Sequence, residues 1–289
     1  QLNFSNWFGK NNHMNPNTDL LVNNIINTNQ FIISSNEQNL TEINNKINST
    51  GITLKIIILT IFLCFILTLV WVDLFCIWLI LGLVLVFIFN VYDNSRKITK
   101  LFYELNSNIQ NKINEIDFNF INLIKSKKIW FVNVEQSQKV TPQNKYGLEL
   151  LGRKSVLITK NMPPFIETNL EIWSINIDNL SLYFFPERIL IFNNKIYSSV
   201  QYNELKMKYT EIIYLEDDIL HNDVQIIGKS YKYSNINGDP DNRYINNPEL
   251  PLISYGLIKF YSSNGLNINF MISNKMIAQE FFNSFKKIS

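Results

Sequence analysis

Alanine is almost missing from this chain: Ala278 is the only one in 289 residues, against 43 Asn and 43 Ile. No fold demands that ratio, and it reads as the codon habit of an AT-rich genome. Cysteine is nearly absent too. Two residues, Cys64 and Cys76, exclude a disulfide framework and a Cys-based zinc module. Two histidines, His13 and His221, leave little material for imidazole catalysis. Charge is scarce at 17% and nearly balanced, with 26 Lys+Arg against 24 Asp+Glu. A formal charge of +2 carries no electrostatic footprint of a nucleic-acid binder.

What is abundant is hydrophobic, at 46% of the residues, and it is unevenly placed. From Ile56 to Tyr92 the only ionisable side chains are Asp73 and the two thiols. As one helix that run would be roughly 55 Å long, well beyond a hydrocarbon core of about 30 Å. Folding it at Asp73 gives two spans, so the sequence predicts a two-helix transmembrane hairpin within residues 51–92. Trp71 anchors the turn at the interface. Lys46 and Lys55 before the hairpin, with Arg96, Lys97 and Lys100 after it, place both termini in the cytoplasm of an inner-membrane protein. Cys64 and Cys76 differ in depth by roughly 9 Å, more than the ~7 Å a disulfide spans, so both are expected as reduced packing residues.

Beyond the hairpin, Ile98, Phe102, Leu105, Ile109, Ile113, Ile116, Phe120 and Ile124 recur at helical spacing. No Gly or Pro interrupts the chain between Gly82 and Pro142. A helical stalk over 93–128 follows, closed by the basic cluster Lys125, Lys127, Lys128. Its apolar stripe needs cover, either from a stalk segment at 18–50 of the same chain or from a second copy in a coiled coil. Residues 1–17 are Asn-rich, polar and expected to be disordered.

From Ile129 onward the period changes to two. Leu266, Ile268, Phe270 and Ile272 alternate with Asn267, Asn269 and Met271, a half-buried strand. Pro251–Ser263 joins it through Asn264-Gly265, a favoured hairpin turn. A second hairpin joins Leu180–Phe192 to Lys195–Val200 through Asn193-Asn194. Strands are also predicted at Trp130–Val140, Phe165–Ile177, Leu205–Leu215 and Val224–Ser234. The segment Asn274–Ile288 is helical, with Ile277, Phe281, Phe285 and Ile288 on one face and Ser273 as N-cap. The expected fold is α+β: hairpin and stalk, then residues 129–289 as a small β-barrel or curled sheet closed by the C-terminal helix.

The stretch Leu182-Tyr183-Phe184-Phe185-Pro186-Glu187-Arg188-Ile189-Leu190, followed by Val200-Gln201-Tyr202-Asn203-Glu204-Leu205, resembles bacterial pleckstrin-homology-like (PH-like) domains. Pro164-Phe165-Ile166-Glu167-Thr168-Asn169 and the loop Gly238-Asp239-Pro240-Asp241-Asn242-Arg243-Tyr244, with Asn246-Asn247, are similar to a group of uncharacterised bacterial proteins. That group's loop reads Gly-Gly-Pro-Asp-Arg-Arg-Phe, so Asp239 and Asn242 depart from it. The resemblance covers roughly Lys128–Ile288 and implies a PH-like β-domain without implying an activity.

The richest polar stretch is that loop. Asp239, Asp241, Asn242, Arg243, Tyr244, Asn246 and Asn247 are the candidate ligand-binding residues, with Arg243 suited to a carboxylate or phosphate. The competing reading is a self-bonded turn of Asn, Asp and Pro. A calcium loop is rejected, because Arg243 stands where a fifth-position ligand belongs and Leu250 where the twelfth-position Glu belongs. Glu216, Asp217, Asp218, His221 and Asp223 have no metal-ligand spacing and read as a solvated acidic loop. Gly147–Gly152 with Arg153-Lys154-Ser155 is no phosphate loop, since its Lys is misplaced and Leu148, Leu150 and Leu151 call for burial. No nucleophile elbow surrounds any serine. The sequence thus points to a membrane-anchored, non-catalytic binding, sensing or scaffold protein. It would have no cofactor or metal, and its partners would be membrane lipid and a protein, peptide or lipid head group. The competing class is a membrane-perturbing effector of a bacterial defence or stress system.

Overall fold

A computed structural model describes residues 37–49, 52–70, 75–136, 148–235, 238–263 and 265–288. The tail at 1–17, the turn with Trp71 and Asp73, and the side chains of Cys64 and Cys76 lie outside the described residues. Helix α1 spans Glu37–Asn48. Helices α2, Ile52–Val70, and α3, Phe75–Lys97, pack side by side as a hairpin. The transmembrane expectation is corrected here: among the described residues no helix is long and apolar enough to cross a membrane. A span requires about 20 consecutive apolar residues. The described side chains of α3, residues 80–97, include Asp93, Arg96 and Lys97, and those of α2 lie only between 55 and 66. The two-pass topology and inner-membrane localisation lose their support with it. Ile58, Phe62 and Phe65 on α2, and Leu83 and Phe87 on α3, are exposed.

The long stalk is also absent. The chain leaves α3 at Lys97, runs extended through β1 (Thr99–Leu101), and re-enters a helix, α4, only at Ser107–Leu123. Asn106 starts α4 by accepting a hydrogen bond from the Ile109 N–H, the usual N-cap device. The periodic stripe is divided accordingly. Ile116, Phe120 and Leu123 enter the core, while Phe102 and Leu105 stay exposed. Ile116, Phe120 and Leu123 of the stripe find their cover in the β-domain, while Ile113 joins the cluster that contains Ile43 and Ile47 of α1.

That domain holds two antiparallel sheets. The first, in spatial order, is β4 (Leu157–Lys160), β6 (Trp173–Ile177), β7 (Leu180–Phe184), β8 (Arg188–Asn193) and β9 (Ile196–Gln201). The second is β10 (Lys206–Leu215), β12 (Glu249–Tyr261), β13 (Asn267–Ile272), β2 (Ile129–Gln136) and β3 (Leu148–Ser155), with β11 (Gln225–Tyr231) also paired to β12. A three-residue strand, β5 (Ile166–Thr168), pairs in parallel with β1 and belongs to neither sheet. Of the two expected forms, barrel or curled sheet, the closed barrel is not formed. Chain passes from β9 to β10 through the short turn Tyr202–Glu204, and among the described residues no ladder joins these two strands.

Helix α5 (Lys275–Phe285) and α4 fill the space between the sheets. Phe120, fully buried, stacks on Trp173 at 5.3 Å and meets Phe184 edge-on at 4.7 Å. Phe281 and Phe285 of α5 complete this aromatic centre. The cap of α5 is Asn274, which accepts from the Met276 and Ile277 amides; Ser273, the expected cap, is engaged elsewhere. Helix α5 rests very close to β12: a Cβ built on Gly256 would lie 2.4 Å from the Cβ of Ala278. The chain's single alanine thus sits where α5 comes too near β12 for a side chain on the facing strand residue.

A second cluster lies on the other face of the first sheet. Ile43 and Ile47 of α1 pack among Ile166, Tyr183, Phe185, Leu190 and Tyr197. Asn44 completes the docking with its amide, accepting from the Tyr197 N–H at 2.7 Å and donating to the Tyr197 carbonyl at 2.8 Å. Because β9 is an edge strand, these two bonds occupy backbone groups that face away from β8.

Candidate functional site: the loop end of the second sheet

The connections β10–β11 (216–224) and β11–β12 (232–248) emerge at the same end of the second sheet, and Lys232 links them by a 3.2 Å ion pair to Asp217. All seven candidate residues lie in the latter loop. The structure unites some of them. Asp241, buried, takes the Arg243 side chain in a forked pair, with Nε at 2.9 and 3.0 Å from its two carboxylate oxygens. The Arg243 amide adds a bond to Oδ1 at 3.1 Å. Hydrogen bonding from Arg243 holds the Asp241 carboxyl below the usual carboxylate range, and Asp241 raises Arg243 in turn. The guanidinium assigned to an external anion thus serves the loop's own carboxylate.

Tyr244 stacks on Tyr233 with ring centroids 3.9 Å apart and a tilt of only 13°. Asn247 clamps the Tyr233 backbone, accepting from its N–H at 2.8 Å and donating to its carbonyl at 2.6 Å. Gly238, at φ +90°, makes the reversal that returns the Asp239 carbonyl to the Asn235 N–H. The side chains of Asp239, Asn242 and Asn246 are exposed. Loop 238–248 is therefore a braced turn, and beside its polar side chains it displays apolar ones: Ile245 is 100% exposed and Tyr244 45%.

The neighbouring 216–224 loop is rooted by a cation held on every side. Arg153 of β3 makes a two-pronged bond to Glu216, 2.7 and 2.6 Å, and reaches Asp218 at 2.7 Å. Its guanidinium also lies 5.2 Å from the Trp130 ring centre and 5.1 Å from that of Tyr214. Glu216, 2% exposed, accepts a further bond from the Tyr255 hydroxyl at 2.7 Å. Burial pushes Glu216 up, yet the Arg153 fork, the Tyr255 hydroxyl and the Asp218 N–H outweigh it and leave the carboxyl below its ordinary value. Tyr255 is raised, by burial first and then by Glu216. At the far end of the loop, Asp223 accepts from Ser273 Oγ at 2.7 Å and from the Lys127 N–H at 2.8 Å. Glu216 and Asp218 thus share Arg153, Asp217 pairs with Lys232, Asp223 is held by Ser273 and Lys127, and His221 lies 5.9 Å from the Trp130 ring.

Between its braced ends this loop exposes Ile219 (87%) and Leu220. Ile226 and Ile227 of the adjoining β11 are exposed as well. Sequence reasoning passed over these apolar residues because it looked for polar chemistry. The signal available was the pair Ile219-Leu220 inside an acidic loop, where a solvated turn has no use for them. A separate shallow cleft of about 560 Å³ between α1 and α3 is lined by Thr41, Glu42, Asn45, Lys46, Ser49 and Arg96, and Lys46 there is paired with Glu42 at 2.7 Å.

No family model, no curated protein and no solved structure matches this chain.

Proposed function

We propose that this chain is a non-catalytic binding or scaffold module that receives a protein or peptide partner at the loop end of its second sheet. The observation that carries the reading is the fully exposed Ile245, with Ile219 at 87%, on two loops anchored by the Asp241–Arg243 and Arg153–Glu216 pairs. Rigid loops displaying solvent-facing isoleucines lose little conformational entropy on association, which favours their use as contact points. The order of elements supports the resemblance to PH-like domains in part: a four-stranded meander β6–β9, then β10 to β13, then a terminal helix.

The test is site-specific photo-crosslinking in cells making the full chain, with the crosslinker at 245 and, as control, at the exposed Met162. The expected result is a discrete adduct from 245, absent from 162, and lost on Ile219→Asp without a change in Tm. Equal labelling at the two positions, or an adduct indifferent to Ile219→Asp, would overturn the reading.

A further inference from the structure

The helical hairpin is joined to the β-domain at both of its ends, and the two joints are built very differently. The entry joint is α1. It buries Ile43 and Ile47 and fixes both backbone groups of Tyr197 through Asn44. The exit joint is β1, which holds on to β5 by a parallel ribbon of three residues on each side. Two-stranded ribbons of this size have little stability of their own.

The exit joint also carries two local defects. Its first backbone bond, from the Thr99 N–H at 2.8 Å, goes to the carbonyl of Phe165, a non-glycine residue at φ +60°. An aromatic residue in that region is strained by its own Cβ. The Thr99 hydroxyl is buried without a hydrogen-bond partner, an unfavourable state that opening the ribbon to water would relieve. Opposing these are the exposed Lys100–Glu167 pair at 3.6 Å, which is worth little, an Asn169 clamp on the Tyr103 N–H and carbonyl, both at 2.9 Å, and the packing of Leu101 and Tyr103 against the cluster that also seats α1. Ile98, Phe102 and Leu105 of the same segment face solvent already.

We propose that β1 is a release latch. Segment 98–106 leaves β5 while α1 stays seated, so that the α2–α3 hairpin swings about its entry joint without any unfolding of the two sheets. Strain at Phe165 and the orphaned Thr99 hydroxyl set the latch close to opening, and the Asn169 clamp holds it shut.

Hydrogen exchange on the full chain, followed by mass spectrometry, tests this. Peptides covering 98–106 are expected to exchange at least tenfold faster than those covering 40–49. Thr99→Val, which keeps the shape and removes the orphaned hydroxyl, is expected to slow exchange at 100–103 by about five- to tenfold. Asn169→Ala is expected to speed it while leaving 40–49 unchanged, and this variant touches an exposed side chain and so keeps the test open if the buried change misfolds. Equal protection at the two joints, or rates at 100–103 that both variants leave as in the parent chain, would overturn the proposal.

Discussion

Gly256→Ala is the perturbation whose outcome the packing defines best. The added methyl would meet the Ala278 Cβ at 2.4 Å, the Lys275 Cα at 3.3 Å and the Tyr209 ring at 3.3 Å. Ordinary carbon–carbon contacts lie at about 3.5–4.0 Å, so α5 must back away from β12 by about 1 Å. Retreat of that size opens contacts throughout the aromatic centre, because Phe281 and Phe285 travel with the helix. Overpacking of this kind costs about 1–3 kcal/mol, and the upper end is expected here because two of the three obstacles are fixed to the helix backbone. Urea unfolding monitored by tryptophan fluorescence reads the loss directly. Ala278→Gly alone should cost about 1 kcal/mol from helix propensity, and in the double variant the Cβ–Cβ clash is gone. The cycle should therefore show a favourable coupling of about 1 kcal/mol or more. A Gly256→Ala chain within about 0.5 kcal/mol of the parent, or strict additivity in the double variant, would refute the packing argument.

Two further outcomes follow from the polar groups. Glu216→Gln removes the charge that Arg153 is built around and should cost about 3 kcal/mol at neutral pH, the low end for breaking a buried pair because Asp218 still faces the guanidinium. The Glu216 carboxyl is depressed in the folded state, so its stabilisation is complete above the unfolded value of about 4.3 and is lost as pH falls through the folded value. Stability measured against pH should accordingly show a shallower acid limb for Glu216→Gln than for the parent; parallel limbs would exclude Glu216 as a source of the acid sensitivity. Asp117→Ala leaves the Trp173 indole N–H, bonded to Asp117 at 2.6 Å, without its acceptor. A loss of about 1–3 kcal/mol is expected, together with a shift in Trp173 emission, and an unchanged urea midpoint would count against it.

The β-domain was largely legible because period-two alternation survives wherever a strand has one face in the core. Leu266–Ile272 and Leu205–Leu215 were read with nearly their observed limits. Where the pattern breaks, reading failed for identifiable reasons. Phe165–Ile177 divides into β5 and β6 because Asn169–Glu171 turns between them, and Leu180–Phe192 divides at Phe185-Pro186-Glu187. The stalk was misread because helical spacing in Ile98–Ile124 is real only from Ile109. Residues 98–106 are drawn out of the helix by β5, a partner more than sixty positions away that no local pattern reveals. In the candidate site, the braced loop was anticipated as one of two readings, and the Asp241–Arg243 pair is part of that bracing. The apolar display at Ile219 and Ile245 escaped notice because exposure is a property of the folded surface.

Asparagine abundance was set down to codon usage, yet three of these residues do the same unusual thing. Asn44, Asn169 and Asn247 each accept from the N–H and donate to the carbonyl of one tyrosine: Tyr197, Tyr103 and Tyr233. Each amide side chain behaves as a strand one residue long, supplying both halves of a ladder rung. An amide is the side chain for this, since it carries one acceptor and one donor group in a plane. Aspartate is nearly the same shape but has only acceptors when ionised, so it would set a negative oxygen against the tyrosine carbonyl. Replacing any of the three amides by a carboxylate would thus turn an attachment into a repulsion. At Asn44 the exposed result would be a freed backbone edge on β9, the kind of edge that invites pairing with another chain.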